Sequence, residues 1–136
     1  MSSVFGARRF DRSSATAGLA IGDLLVLSIL LGMGSLRHNE NPIEVPLLFA
    51  DTVAPFLVGW IVASVIVGAY SARAQRSVRD AALFGGGTWI VASLIGAGLR
   101  ATPLFHGNAP LTFVAVVTGI GLVFFVVWRG LAAAVS

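Results

Sequence analysis

Nine basic and six acidic residues stand in this 136-residue sequence, and Asp23 is the one with no place at a surface. It follows Ala20-Ile21-Gly22 and precedes Leu24–Leu36, a run without Asp, Glu, Lys or Arg. An ionisable side chain in such a segment is costly to hold, and by default it marks a proton, ion or substrate site. Counted from the helix ends, Ser64, Thr88 and Trp89 fall at similar depth and can donate hydrogen bonds to a carboxylate. The four residues form a candidate polar site among apolar segments. A competing structural reading has Asp23 protonated, or hydrogen-bonded to those hydroxyls and reached by a snorkelling Arg129.

Two further groups carry charge. Arg37, Asp51 and Arg100 form an outer polar layer, with His38, His106, Glu40 and Glu44 in the flanking loops. The plainest account is an interfacial ion pair between Asp51 and one Arg, the kind of pair that contributes little stability. Two His without recognised spacing do not define a metal or haem site. Arg73, Arg76 and Arg79 recur every three residues and attract anionic lipid headgroups at about 1 kcal/mol each near a charged leaflet. The same arginines also set topology. With no cysteine there is no disulfide or thiolate chemistry. No hydrolase triad, paired carboxylates, His-rich box or dinucleotide fingerprint occurs, and Gly85-Gly86-Gly87 lacks the Gly-Lys-Ser/Thr of a phosphate loop. The expectation is no enzyme and no cofactor.

The elements that must position these groups follow from composition. Hydrophobic residues make up 57% and charged residues 11%, against roughly 25% charged in a soluble domain. So few charges cannot cover a water-soluble globule, which excludes a soluble enzyme, a nucleic-acid binder and a disordered tail. Residues 24–36, 52–72, 81–99 and 101–128 contain no Asp, Glu, Lys or Arg. A span needs about 20 apolar residues, and Leu24–Leu36 covers only about 20 Å, so the first helix must run back past Asp23. The expected fold is an all-α membrane protein, a four-transmembrane-helix up-down bundle. Residues 1–15 are an N-terminal tail and 16–136 one integral membrane domain, with spans about 16–36, 52–72, 81–99 and 111–129. The apolar run after Arg8, Arg9 and Arg12 is too long for a signal h-region, so the first span is expected to be retained. The second helix begins either at Asp51 as a cap, or near Pro46 with a kink at Pro55.

Orientation follows from arginine. With cytoplasmic termini the inside holds Arg8, Arg9, Arg12, Arg73, Arg76, Arg79 and Arg129, and the outside Arg37 and Arg100. That bias places both ends in the cytoplasm of a plasma-membrane protein. Small residues four apart (Gly18/Gly22, Ser64/Gly68, Ala92/Gly96, Ala115/Gly119) allow close helix packing within the bundle or between copies. Trp128 and Tyr70 suit an interfacial aromatic belt. Trp60-Ile61-Val62-Ala63-Ser64 recurs as Trp89-Ile90-Val91-Ala92-Ser93, as an inverted repeat or by coincidence of a small alphabet. Gly32–Arg37 and Gly96–Arg100 echo each other with a different symmetry.

Several motifs together resemble a known family. They are Gly22-Asp23, Gly34-Ser35-Leu36-Arg37-His38, Pro55-Phe56-Leu57-Val58-Gly59-Trp60, Leu99-Arg100 before a glycine loop, and Val127-Trp128-Arg129. From about Gly18 to Arg129 the chain looks like domain-of-unknown-function family 3054, small four-span membrane proteins of archaea and actinobacteria. That resemblance implies a fold and a prokaryotic membrane location, and no activity. Two functions are expected. The first is a small non-enzymatic transporter- or channel-like protein using Asp23, working as a homo-oligomer. The second is a structural or accessory subunit that packs against a larger membrane complex or specific lipids. The partners are the lipid bilayer and membrane proteins, with no nucleic acid.

Overall fold

The computed structural model describes residues 14–37, 46–102 and 111–135, and these form an all-helical chain. Four long helices, α1 (Ser14–Arg37), α2 (Pro46–Val67), α3 (Val78–Arg100) and α4 (Leu111–Ala134), follow one another, with a 3-10 turn at Arg73–Gln75. Each is long and apolar enough to cross a membrane. Consecutive helices pack as neighbours, and α1 closes the ring against α4. Ala15 of α1 and Ala133 of α4 line one crevice, so the start of α1 and the end of α4 lie at the same end of the bundle.

The second helix starts at Pro46 and keeps Pro55 inside it. A proline lacks the N–H that would reach the carbonyl four residues back, so the Asp51 carbonyl loses that partner. Asp51 is half-buried within the helix and does not cap it. The helix stops earlier than the charge-free run suggests. Gly68 adopts φ 82°, and the N–H groups of Gly68 and Ala69 both donate to the Ser64 carbonyl, at 2.9 and 3.0 Å. A glycine in the left-handed region is the usual terminator of a helix. The chain then folds back through residues 69–72 toward the bundle axis, burying Ala69, Tyr70 and Ser71. The third helix begins before its charge-free run: the Ser77 side chain accepts from the Asp80 N–H at 3.0 Å, an N-cap with a carboxylate in the first turn.

Aromatic rings fill the centre. Phe125 of α4 stacks on Trp60 of α2 at 4.6 Å and on Trp89 of α3 at 5.2 Å, and Phe56 continues the row beside Trp89 at 6.1 Å. The repeated Trp-Ile-Val-Ala-Ser segments therefore do the same job on adjacent helices. In each, Trp, Ala and Ser stand at i, i+3 and i+4 and face inward. Each Ser hydroxyl donates to the carbonyl three residues back, Ser64 to Ile61 at 2.8 Å and Ser93 to Ile90 at 3.0 Å. The two copies thus present the same inward helix face. Of the small-residue ridges, Gly22, Ala92 and Gly96 meet another helix, whereas a side chain at Gly18 or Gly119 would meet nothing.

Candidate functional site: a buried carboxylate–guanidinium cluster

Asp23 lies in the third turn of α1, about 13.5 Å along the axis from Ser14. It is 1% exposed. Its carboxylate faces α4 and the turn after α2, where four donors converge. Arg129 grips it with two bonds, Nε to Oδ1 at 2.9 Å and a terminal nitrogen to Oδ2 at 2.7 Å. The Trp128 indole N–H donates to Oδ1 at 2.9 Å, and the Tyr70 hydroxyl to Oδ2 at 2.6 Å. Behind Tyr70, the Trp60 indole N–H donates to the phenolic oxygen at 2.8 Å. The remaining terminal nitrogen of Arg129 donates to the Ala69 carbonyl at 2.8 Å. Its guanidinium also lies 5.1 Å from the Tyr70 ring centre and 6.0 Å from that of Trp60. Aromatic faces favour a cation held away from water.

The geometry has sequence causes. Trp128 and Arg129 are consecutive on α4, so one turn of helix presents both an indole and a guanidinium to the same carboxylate. Gly22 makes room for them: a Cβ there would run into the Trp128 indole. Gly85 does the same for Arg129, whose Cγ lies 2.5 Å from where a Gly85 Cβ would sit. The turn at Gly68 brings Tyr70 back to the bundle. Burial, followed by the negative charge of Asp23, pushes the Tyr70 phenol well above its ordinary range, so it remains a donor. Among the described residues no buried side-chain nitrogen or oxygen lacks a partner.

The sequence-derived polar site comes apart here. Ser64, Thr88 and Trp89 are all buried, yet none bonds Asp23. Ser64 donates to the Ile61 carbonyl, and Thr88 donates to the Phe84 carbonyl of its own helix at 2.6 Å. Hydroxyls on a helix often satisfy themselves this way. The Trp89 indole reaches instead to the Thr118 carbonyl on α4 at 3.1 Å, and Ser93 and Thr118 share a bond of 2.9 Å. Arg129, placed at the inner surface by sequence, is 0% exposed, because α4 continues to Ala134. Tyr70 and Trp128 serve the cluster where an interfacial belt was expected.

In the outer layer, Arg100 ends α3 with its guanidinium 4.9 Å above the Phe113 ring, and Asp51 is half-buried in α2. Arg37 ends α1, and its side chain, with His38, Glu40, Glu44 and His106, lies outside the described residues. Arg73 and Arg76 are exposed on the short connection between α2 and α3, and Arg79 is exposed in the first turn of α3.

A narrow crevice of about 110 Å³ opens toward the cluster from the end where α1 starts and α4 finishes, lined by Ala15, Leu19, Gln75, Trp128 and Arg129 among others. No group of three metal-ligating side chains gathers among the described residues. A family model described as a protein of unknown function (DUF3054) matches residues 20–132. No curated protein and no solved structure matches the chain.

Proposed function

This chain belongs to the DUF3054 family, and we propose that it is a non-enzymatic structural or accessory subunit of the plasma membrane, packing against a larger membrane complex or specific lipids. One observation carries this: both oxygens of Asp23 are fully engaged by four donors from α4 and the turn after α2. A carboxylate that relays protons or binds a passing ion needs a free lone pair or a mobile partner, and here every lone pair works to hold three elements together. The apolar side chains that cover the outside of the bundle are what such a subunit offers its neighbours. Arg8, Arg9, Arg12, Arg73, Arg76 and Arg79 outnumber Arg37 and Arg100 even with Arg129 withdrawn to the interior, which supports cytoplasmic ends.

A specific observation favours a second function, handling of a small solute or proton through Asp23. The crevice touches Arg129, so one short step separates the ion pair from the inner face. Four helices enclose little volume, and a route would run between protomers. Liposome flux separates the two. The accessory function expects no proton or ion flux from wild type or from Asp23→Asn above empty vesicles. Wild-type flux that disappears in an Asp23→Asn protein with unchanged helical content and elution volume would establish the second and overturn the first.

A further inference from the structure

We propose that the groove between α1 and α4 holds an acyl chain of an anionic phospholipid whose phosphate rests on the arginine-bearing segment that joins α2 to α3 and opens α3. This rests on the accessory function and names its lipid. The groove opens sideways to the membrane and is wholly apolar in character, with Val26 and Ile29 on one wall and Val123, Phe124, Val127 and Leu131 on the other. From Val123 to Leu131 it runs roughly 12 Å along α4. That is close to one leaflet's half of a ~30 Å hydrocarbon core: the α4 wall lies in the C-terminal half of its helix, and Val26 and Ile29, just past the middle of α1, carry the groove to the bundle centre. It therefore matches one chain from one leaflet, entering from the face that carries the arginines.

The polar end is built by the connection. Trp128 lines both the groove and the inner crevice, so its ring stands between the two spaces. Gln75 and Ala81, which bracket most of the arginine segment, line that crevice too. Val78, beside Arg79, lies 3.7 Å from where a Gly130 Cβ would sit, which sets the start of α3 against the inner end of α4. Arg73, Arg76 and Arg79 are exposed there, and among the described residues Asp80 is the carboxylate of that segment. The Arg129 charge is already met by Asp23, so attraction for a phosphate comes from that segment. The Gln75 amide reaches Thr16 and the Ser71 carbonyl only at 3.4 Å each, long bonds that a phosphate oxygen can replace.

The three tryptophans make this measurable. Trp60 and Trp89 are 2% and 0% exposed, while Trp128 is half-buried and lines the groove, so a quencher in the groove reads Trp128. Full-length protein is reconstituted with phosphatidylglycerol or phosphatidylcholine carrying the same brominated acyl chain, in unlabelled phosphatidylcholine. The brominated phosphatidylglycerol should quench at roughly fivefold lower mole fraction, the effect of one Arg at a charged leaflet. The triple variant Arg73→Gln/Arg76→Gln/Arg79→Gln should lose that preference, and Val127→Phe, which fills the groove, should reduce quenching by both lipids. Equal quenching by the two lipids, or a preference that survives the triple variant, overturns the site. Either result leaves the flux comparison untouched, so the lipid site and the accessory function fail separately.

Discussion

Removing either half of the Asp23–Arg129 pair should be costly, and removing both should cost far less than the sum. Asp23→Asn keeps the shape but leaves a buried guanidinium with no counter-charge. Arg129→Met leaves a buried carboxylate holding only the Trp128 and Tyr70 donors. Breaking a buried pair from one side costs about 3–5 kcal/mol. In the double variant no charge remains uncompensated. What is lost is the acceptor for Trp128 and Tyr70 and the donor to Ala69. Orphaned neutral groups cost about 1–3 kcal/mol each, and the Asn side-chain oxygen can still accept from some of these donors. The double variant should therefore fall about 3–5 kcal/mol below wild type, where additivity would give about 6–10. The coupling of about 3 kcal/mol or more is readable from reversible unfolding in mixed micelles, followed by circular dichroism for all four proteins. Additive single effects, with coupling under about 0.5 kcal/mol, would refute the claim that the two charges are held as one unit.

Two other outcomes are expected. Tyr70 is the sole tyrosine, so its ionisation can be followed by ultraviolet absorbance without interference. Its folded-state value is raised above the ordinary value of about 10, so its contribution to stability is complete below that pH and declines as pH rises further. Tyrosinate should appear only together with loss of helix, and tyrosinate forming near pH ~10 in a fully helical protein would contradict the buried bond to Asp23. Gly22→Ala should displace the Trp128 indole, costing about 1–3 kcal/mol and shifting tryptophan emission. Gly18→Ala, one turn earlier with open space around it, should instead stabilise the helix by about 0.5–1 kcal/mol. Equal effects at the two glycines would count against the close Gly22–Trp128 packing.

The four helices were legible because charge-free stretches of span length leave no other use for them, and Asp23 was legible because it interrupts the first. Of its partners, Arg129 was named only as a residue snorkelling in from the surface, and Tyr70 and Trp128 were assigned to an interfacial belt. Arg129 follows a long apolar run, so a count of charge-free residues treats it as the end of a span. The signal against that was Gly130-Leu131-Ala132-Ala133-Ala134, uncharged residues that carry α4 about 7.5 Å further and place the guanidinium inside. Ser77-x-x-Asp80 could likewise have moved the start of α3 forward from Ala81. Tyr70 is a harder case. Its place depends on the chain reversing at Gly68 and packing against two other helices, which is tertiary information. Ser64 and Thr88 were chosen for depth alone, and depth does not say which way a hydroxyl turns when its own helix offers a carbonyl.

Asp23 and Arg129 are 106 residues apart in sequence, in the first helix and the last. Synthesis runs from the N-terminus, so the carboxylate reaches the membrane long before the guanidinium exists. An unpaired Asp near a helix centre costs about 2.5–3.5 kcal/mol on insertion scales, so α1 alone is a poor resident of the bilayer. The pair is also the main polar link between α1 and the rest of the bundle, which makes its formation the closing event of assembly. A chain interrupted before α4 would carry an unanswered charge in its first helix, and that charge distinguishes an unfinished protein from a complete one.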